Sequence, residues 1–203
     1  MVKPLKIMIA ANYFKTLDPV NKNAFSIFKA YKSKSNTFIE TGCHFGGSLT
    51  HAINGGYKNL YSCDINKVRV DHCLSELSSK CDVLRIDHSS SLDFFKKLLP
   101  IIDTDATFWL DAHDEGGGVP TFDELALIKE LFADKASTII IDDIPLYFNN
   151  TIPELIAKIK EINKDYNIRM EYIHSNKSNY ILVASTKSRE QMAKFSINKK
   201  INS

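Results

Sequence analysis

Short apolar, β-branched runs alternate with longer stretches of mixed polarity along most of the chain. This alternation predicts a parallel sheet covered by helices. Five runs, at 37–43 (TFIETGC), 59–65 (NLYSCDI), 82–88 (DVLRIDH), 106–113 (ATFWLDAH) and 137–144 (STIIIDDI), have apolar centres and end in polar or acidic residues. Such centres suit strands buried on both faces. The segments between them, 48–54, 67–79, 91–99 and 121–133, predict helices, and in the last Phe122, Leu125, Ile128, Leu131 and Phe132 share one face. Pro120 or Thr121 starts that helix, with Asp123 and Glu124 complementing its dipole. Further helices are predicted over 23–31 and 153–163, and two closing strands, 168–174 and 180–186, flank a turn at 175–179 rich in Asn, Lys and Ser. The expectation is an α/β, Rossmann-like three-layer sandwich whose mostly parallel seven-stranded sheet ends in a C-terminal β-hairpin.

Composition adds exclusions more than detail. The 203 residues are 44% hydrophobic and 25% charged, ordinary values for one compact globular unit. The chain divides into an N-terminal helical segment at 1–36 on the acceptor side, a main domain at 37–186 and a basic tail at 187–203. A net charge of +2, from 26 basic and 24 acidic residues, supplies no field for nucleic acid or anionic lipid. The tail carries Lys187, Lys194, Lys199 and Lys200 with a single aromatic, Phe195, among them, and reads as a solvated terminal helix. Cys43, Cys63, Cys73 and Cys81 form no CxxC pair and have no zinc-ribbon spacing, no signal-peptide pattern opens the chain, and no apolar run reaches membrane-spanning length. A cytoplasmic protein with reduced thiols is expected, acting on a small molecule rather than at a membrane or on nucleic acid, with a homo-oligomer left open.

In an open parallel sheet, ligands bind outside the carboxyl ends of the strands. The first strand delivers Glu40-Thr41-Gly42-Cys43-His44-Phe45-Gly46-Gly47-Ser48 and then a helix. Gly42 and Gly46 allow a tight turn and a close backbone approach, and Ser48 sits where a helix amino terminus meets a carboxylate. His44 stands where the dinucleotide fingerprint has its middle glycine, which disfavours NAD. Asp64 lies 24 residues beyond Glu40 at the end of the second strand, an offset suited to a carboxylate on a ribose diol. Asp111 closes the fourth strand and Asp142 and Asp143 the fifth; if these strands are neighbours, three carboxylates converge. Such a cluster is costly without a cation, and a hard divalent ion with oxygen ligands, Mg²⁺ above all, is its natural partner.

The E-x-G-x-x-x-G-x-S loop at 40–48, the terminal hairpin and the acidic strand ends together resemble the class I S-adenosylmethionine (SAM) dependent methyltransferases over residues 37–186. Within them the chain is most similar to the metal-dependent small-molecule and sugar O-methyltransferases. The resemblance implies that Glu40, Gly42, His44, Gly46, Ser48, Asp64 and Asp111 lie on the cofactor side. It also implies a polar partner for adenine among Asp87, His88 and Ser89, with His88 and Ser89 carried forward. Asp111, Asp142 and Asp143 are the implied metal ligands. The catechol-type lysine three residues after the metal aspartate is replaced by Asp114, so His113, with histidine's near-neutral pKa, is the candidate general base. Acceptor contacts are expected from 12–23, from the glycine run at 116–118 and from Tyr147 and Phe148. The implied function is cation-assisted O-methylation of a sugar or catechol-like diol. Its alternatives are a metal-independent methyltransferase, a metal-dependent phosphoester hydrolase and a non-catalytic binding protein of the same fold.

Overall fold

A computed structural model describes residues 24–113, 118–172 and 180–187. Expectations placed on 12–23, on Gly116 and Gly117, on the turn at 175–179 and on the tail beyond 187 lie outside the described residues.

The strands are β1 (Thr37–Thr41), β2 (Asn59–Asp64), β3 (Val83–His88), β4 (Ala106–Leu110), β5 (Ala136–Ile141), β6 (Asn167–Tyr172) and β7 (Tyr180–Ser185). They form one sheet in the order β3-β2-β1-β4-β5-β7-β6. The first five are parallel, and β7 enters antiparallel between β5 and β6. The sheet is therefore the expected one, with the hairpin inserted. β1 and β4 are buried at every position, as central parallel strands require.

Helices α1 (Ala24–Ala30), α2 (Gly47–Asn54) and α3 (Lys67–Leu77) cover one face, and α4 (Ser91–Leu98), α5 (Thr121–Phe132) and α7 (Ile152–Ile162) the other. Alternation along the strands feeds two cores. Ile39, Phe108, Leu110, Ile139 and Ile141 face α4, α5 and α7, while Phe38, Leu60, Trp109 and Ile140 face α1 to α3. Phe108 is held edge-on between Phe95 and Phe132, at centroid distances of 5.8 and 5.4 Å. Local signals start two helices: Asn66 caps α3 by accepting from the Val68 N–H, and Ser90 caps α4 by accepting from the Asp93 N–H while donating to its carboxylate.

β4 and β5 each end three residues short of their predicted runs, and β1 ends two residues short. β4 stops at Leu110 because β1, its partner, ends at Thr41, where Gly42 turns the chain away with φ +83°. β5 stops at Ile141, and Asp143 (φ 50°) with Pro145 begins a short helix, α6 (Ile144–Tyr147), which the sequence pattern missed. Both departures free the acidic residues from the sheet at its carboxyl edge. Among the described residues all four cysteines are free thiols, and no helix is long and apolar enough to cross a membrane.

Glu124 is an exception to the apolar face of α5. It is fully buried, and neither carboxyl oxygen has a hydrogen-bond partner. Burial pushes its carboxyl up to about 7; the Thr41 and Ser91 hydroxyls lie close enough to oppose the rise without completing a hydrogen bond. A pKa raised on folding favours the native state while the group is protonated and loses that contribution as pH climbs through the folded value. Glu124→Gln is therefore expected to flatten the pH dependence of stability. Urea unfolding from pH 4 to pH 8 should show the variant gaining on the wild type between about pH 4.5 and pH 7, by up to about 3 kcal/mol, with no further gain above neutrality.

Candidate active site

The site occupies an open cleft of about 1240 Å³ along the carboxyl ends of β1, β2, β4 and β5. Its foundation is Glu40, in register with Trp109 of β4 and fully buried. The Ser48 hydroxyl donates to one Glu40 oxygen and the Ser62 hydroxyl to the other, the latter at 2.9 Å. Burial nevertheless pushes the Glu40 carboxyl up to about 7, against the two hydroxyl bonds and with a smaller contribution from Asp64. Ser62 was not read from the sequence, although its position on the Glu40 face of the neighbouring strand would have pointed to it.

Beyond Glu40 the chain makes a tight turn. The Gly42 and Cys43 N–H groups both donate to the Cys63 carbonyl, at 3.0 and 2.9 Å. A Cβ on Gly42 would stand 3.0 Å from the Asp111 carbonyl oxygen, so only glycine lets β1 and β4 close up here. His44 takes φ 45°, an unusual conformation for a side-chain-bearing residue, and its N–H donates to Asp64 at 2.9 Å. Gly46 (φ +79°) caps α2 and packs against Cys73 and Leu77.

Asp64 is buried, with one oxygen on the His44 N–H and the other on the Asn66 N–H at 2.8 Å. Arg69 approaches to 3.7 Å. Both carboxylate oxygens are thus fixed in direction, and each retains acceptor capacity. At the end of β3 three residues take different directions. Asp87 pairs with Arg85 through two bonds of 2.8 Å, His88 is exposed with Nε2 3.0 Å from the Ile65 carbonyl, and Ser89 lines the cleft with a buried, unpartnered hydroxyl.

The acidic wall lies opposite. Asp111, His113 and Asp143 bring one donor atom each to within 4.8 Å of one another. Asp142 falls outside that group: it lines the cleft, but one of its oxygens accepts from the Asp143 N–H at 2.7 Å. Burial, then the carboxylates of Asp142, Glu40 and Asp143, push the Asp111 carboxyl up to about 9. Burial likewise pushes Asp142 up to about 7, eased by the Asp143 N–H. Asp143 holds a left-handed conformation at the start of α6, and His113, exposed, stacks on Tyr147 at 5.9 Å and 28°. Asp111 and Asp143, with the His113 imidazole beside them and the Asp111 carboxyl pushed up by burial and then by its acidic neighbours, fit a divalent cation.

No family model matches the chain, and no curated protein does. Solved structures do. The O-methyltransferase TomG from Streptomyces achromogenes, involved in tomaymycin synthesis and in complex with SAM, is 12% identical, with a TM-score of 0.58 over 92% of each chain. An O-methyltransferase from Bacillus cereus in complex with SAH is 13% identical, with a TM-score of 0.57 over 89% of this chain and 88% of its own. Human methyltransferase-like protein 13, in complex with SAH, is 13% identical, with a TM-score of 0.58 over 95% of this chain and 88% of its own. The fold is the Rossmann-like methyltransferase fold.

In this methyltransferase fold, the expected cofactor-side residues Glu40, Gly42, His44, Ser48, Asp64, Ser89 and Asp111 gather around one cleft, while the His88 ring turns to the Ile65 carbonyl. The cradle after β1 also depends on a position no side chain can occupy. Gly42→Ala is expected to destabilise the protein by about 1–3 kcal/mol through left-handed strain and the clash with the Asp111 carbonyl. Gly47→Ala, with nothing within 4 Å of its added Cβ, serves as the neutral control in the same thermal melts.

Proposed function

We propose that the protein is a SAM-dependent methyltransferase that methylates a hydroxyl of a small molecule bearing neighbouring oxygens, such as a sugar or a catechol-like diol, with help from a divalent cation. The observation that carries this reading is the convergence, in one cleft, of the β1 loop and Asp64 with Asp111 and His113, which have Asp143 within 4.8 Å. When bound, SAM supplies a methyl group on a sulfonium, and the cation acidifies and orients an acceptor hydroxyl.

The residues divide the work by position. Asp64, aimed by two backbone N–H groups, has lone pairs to spare for the two hydroxyls of a ribose. Gly42 admits the cofactor close to the backbone, and Glu40 holds Ser48 at the start of α2. Asp111 and Asp143 are the oxygen ligands a hard cation prefers. Asp142 keeps Asp143 in its left-handed conformation by accepting its N–H. His113 lies at the cleft mouth within 4.8 Å of both ligand carboxylates, where it can take the acceptor's proton while Tyr147 braces its ring.

Titration calorimetry should show SAM binding, and a panel of catechols and sugars with labelled SAM should show methyl transfer that chelation abolishes and Mg²⁺ restores. Asp111→Asn should lower transfer on the order of 100-fold. No heat with millimolar SAM would refute the methyltransferase reading, and transfer indifferent to chelation would refute the role of the cation.

A further inference from the structure

Trp109 is the only tryptophan in the chain. It stands at the penultimate position of β4, two residues before Asp111, and the roles assigned above leave it unused. The side chain is 3% exposed and lines the cleft, yet its indole N–H has no hydrogen-bond partner. A buried N–H left unpaired costs about 1–3 kcal/mol. The ring has no freedom to seek water, because Phe28 of α1 meets it edge-on at 4.9 Å and 82° and Phe28 is itself packed on Phe38.

Three carboxyl groups border that end of β4, and two have other engagements. Glu40, the register partner across β1, accepts from Ser48 with one oxygen and from Ser62 with the other. Asp142 accepts from the Asp143 N–H. Of the three, it is the Asp111 carboxyl that the indole lies against. A carboxylate with one oxygen anchored by a fixed donor presents the other in a defined direction, the usual way outlying groups orient a metal ligand.

We infer that Trp109 is a positioning residue for the cation site: its indole N–H takes one oxygen of Asp111 and leaves the other directed at Asp143 and His113. This rests on the cation reading proposed above. The donor stays unfilled until the Asp111 carboxylate is drawn into place, so cation binding and the indole hydrogen bond form together.

A single tryptophan makes the test direct. In ¹⁵N-labelled wild-type protein the lone indole N–H resonance should move downfield as Mg²⁺ is added and broaden with Mn²⁺. Trp109→Phe keeps the ring against Phe28 and deletes the donor. Electron paramagnetic resonance should show its Mn²⁺ Kd weakened roughly tenfold or more, with SAM affinity by calorimetry within about twofold of wild type, the Mn²⁺ loss without SAM loss being the signature of positioning. If the wild type takes up no Mn²⁺, the cation reading fails and this inference with it. If the wild type binds Mn²⁺ and Trp109→Phe binds it equally well, positioning alone is overturned. Should the variant not fold, the wild-type resonance decides: an indole N–H unmoved at saturating Mg²⁺ overturns the assignment.

Discussion

Parallel pairing of β1, β4 and β5 ends three strands side by side at the same edge of the sheet, and each of these strands carries an acid at or near its end. The resulting concentration of negative charge in a partly dry cleft is the constraint that the rest of the site answers. Glu40 and Asp142 are pushed up to about 7 and Asp111 to about 9, burial being the largest cause in each case. Each acid meets a different remedy: two serine hydroxyls for Glu40, a backbone N–H for Asp142, and for Asp111 an indole poised beside it. A cleft of this kind favours positively charged occupants, and a sulfonium cofactor and a divalent cation both qualify.

Backbone strain is concentrated in the same place. Of the three non-glycine residues with positive φ among the described residues, His44 lines the cleft and Asp143 stands within 4.8 Å of Asp111 and His113, which line it too. Each is over-determined by a neighbouring carboxylate that accepts its N–H, Asp64 for His44 and Asp142 for Asp143. Unfavourable dihedrals persist when the surroundings hold them in this way, and here they aim the β1 loop and the start of α6 toward the ligand space. Asp64 and Asp142, both in the cleft wall, thus also serve as clamps on the backbone.

Likeness to solved methyltransferases at 12–13% identity reflects a sheet order and a helix arrangement that many sequences can satisfy. Function has to be argued from the site instead. The β1 loop, Asp64 and the acidic wall supply that argument, and they meet across a distance in sequence of about 100 residues, from Glu40 to Asp143.

Much of the fold was legible along the chain because apolar periodicity and strand-ending glycines act locally. The seven strands, six of the seven helices among the described residues and the closing hairpin follow from that periodicity alone. The candidate residues were legible for a similar reason: glycines and acids mark strand ends whatever the packing. Their partnerships were not. That Asp142 would turn to the Asp143 N–H, that His113 would join Asp111 and Asp143, that Ser89 rather than His88 would face the cleft, and that Trp109 would lie unpaired beside Asp111 depend on side-chain directions. The strand register, the premature ends of β4 and β5 and the left-handed turn at Asp143 set those directions. Sequence order carries which residues reach the edge of the sheet; only the packed structure, in which each polar group must find a partner across strands, decides which of them meet.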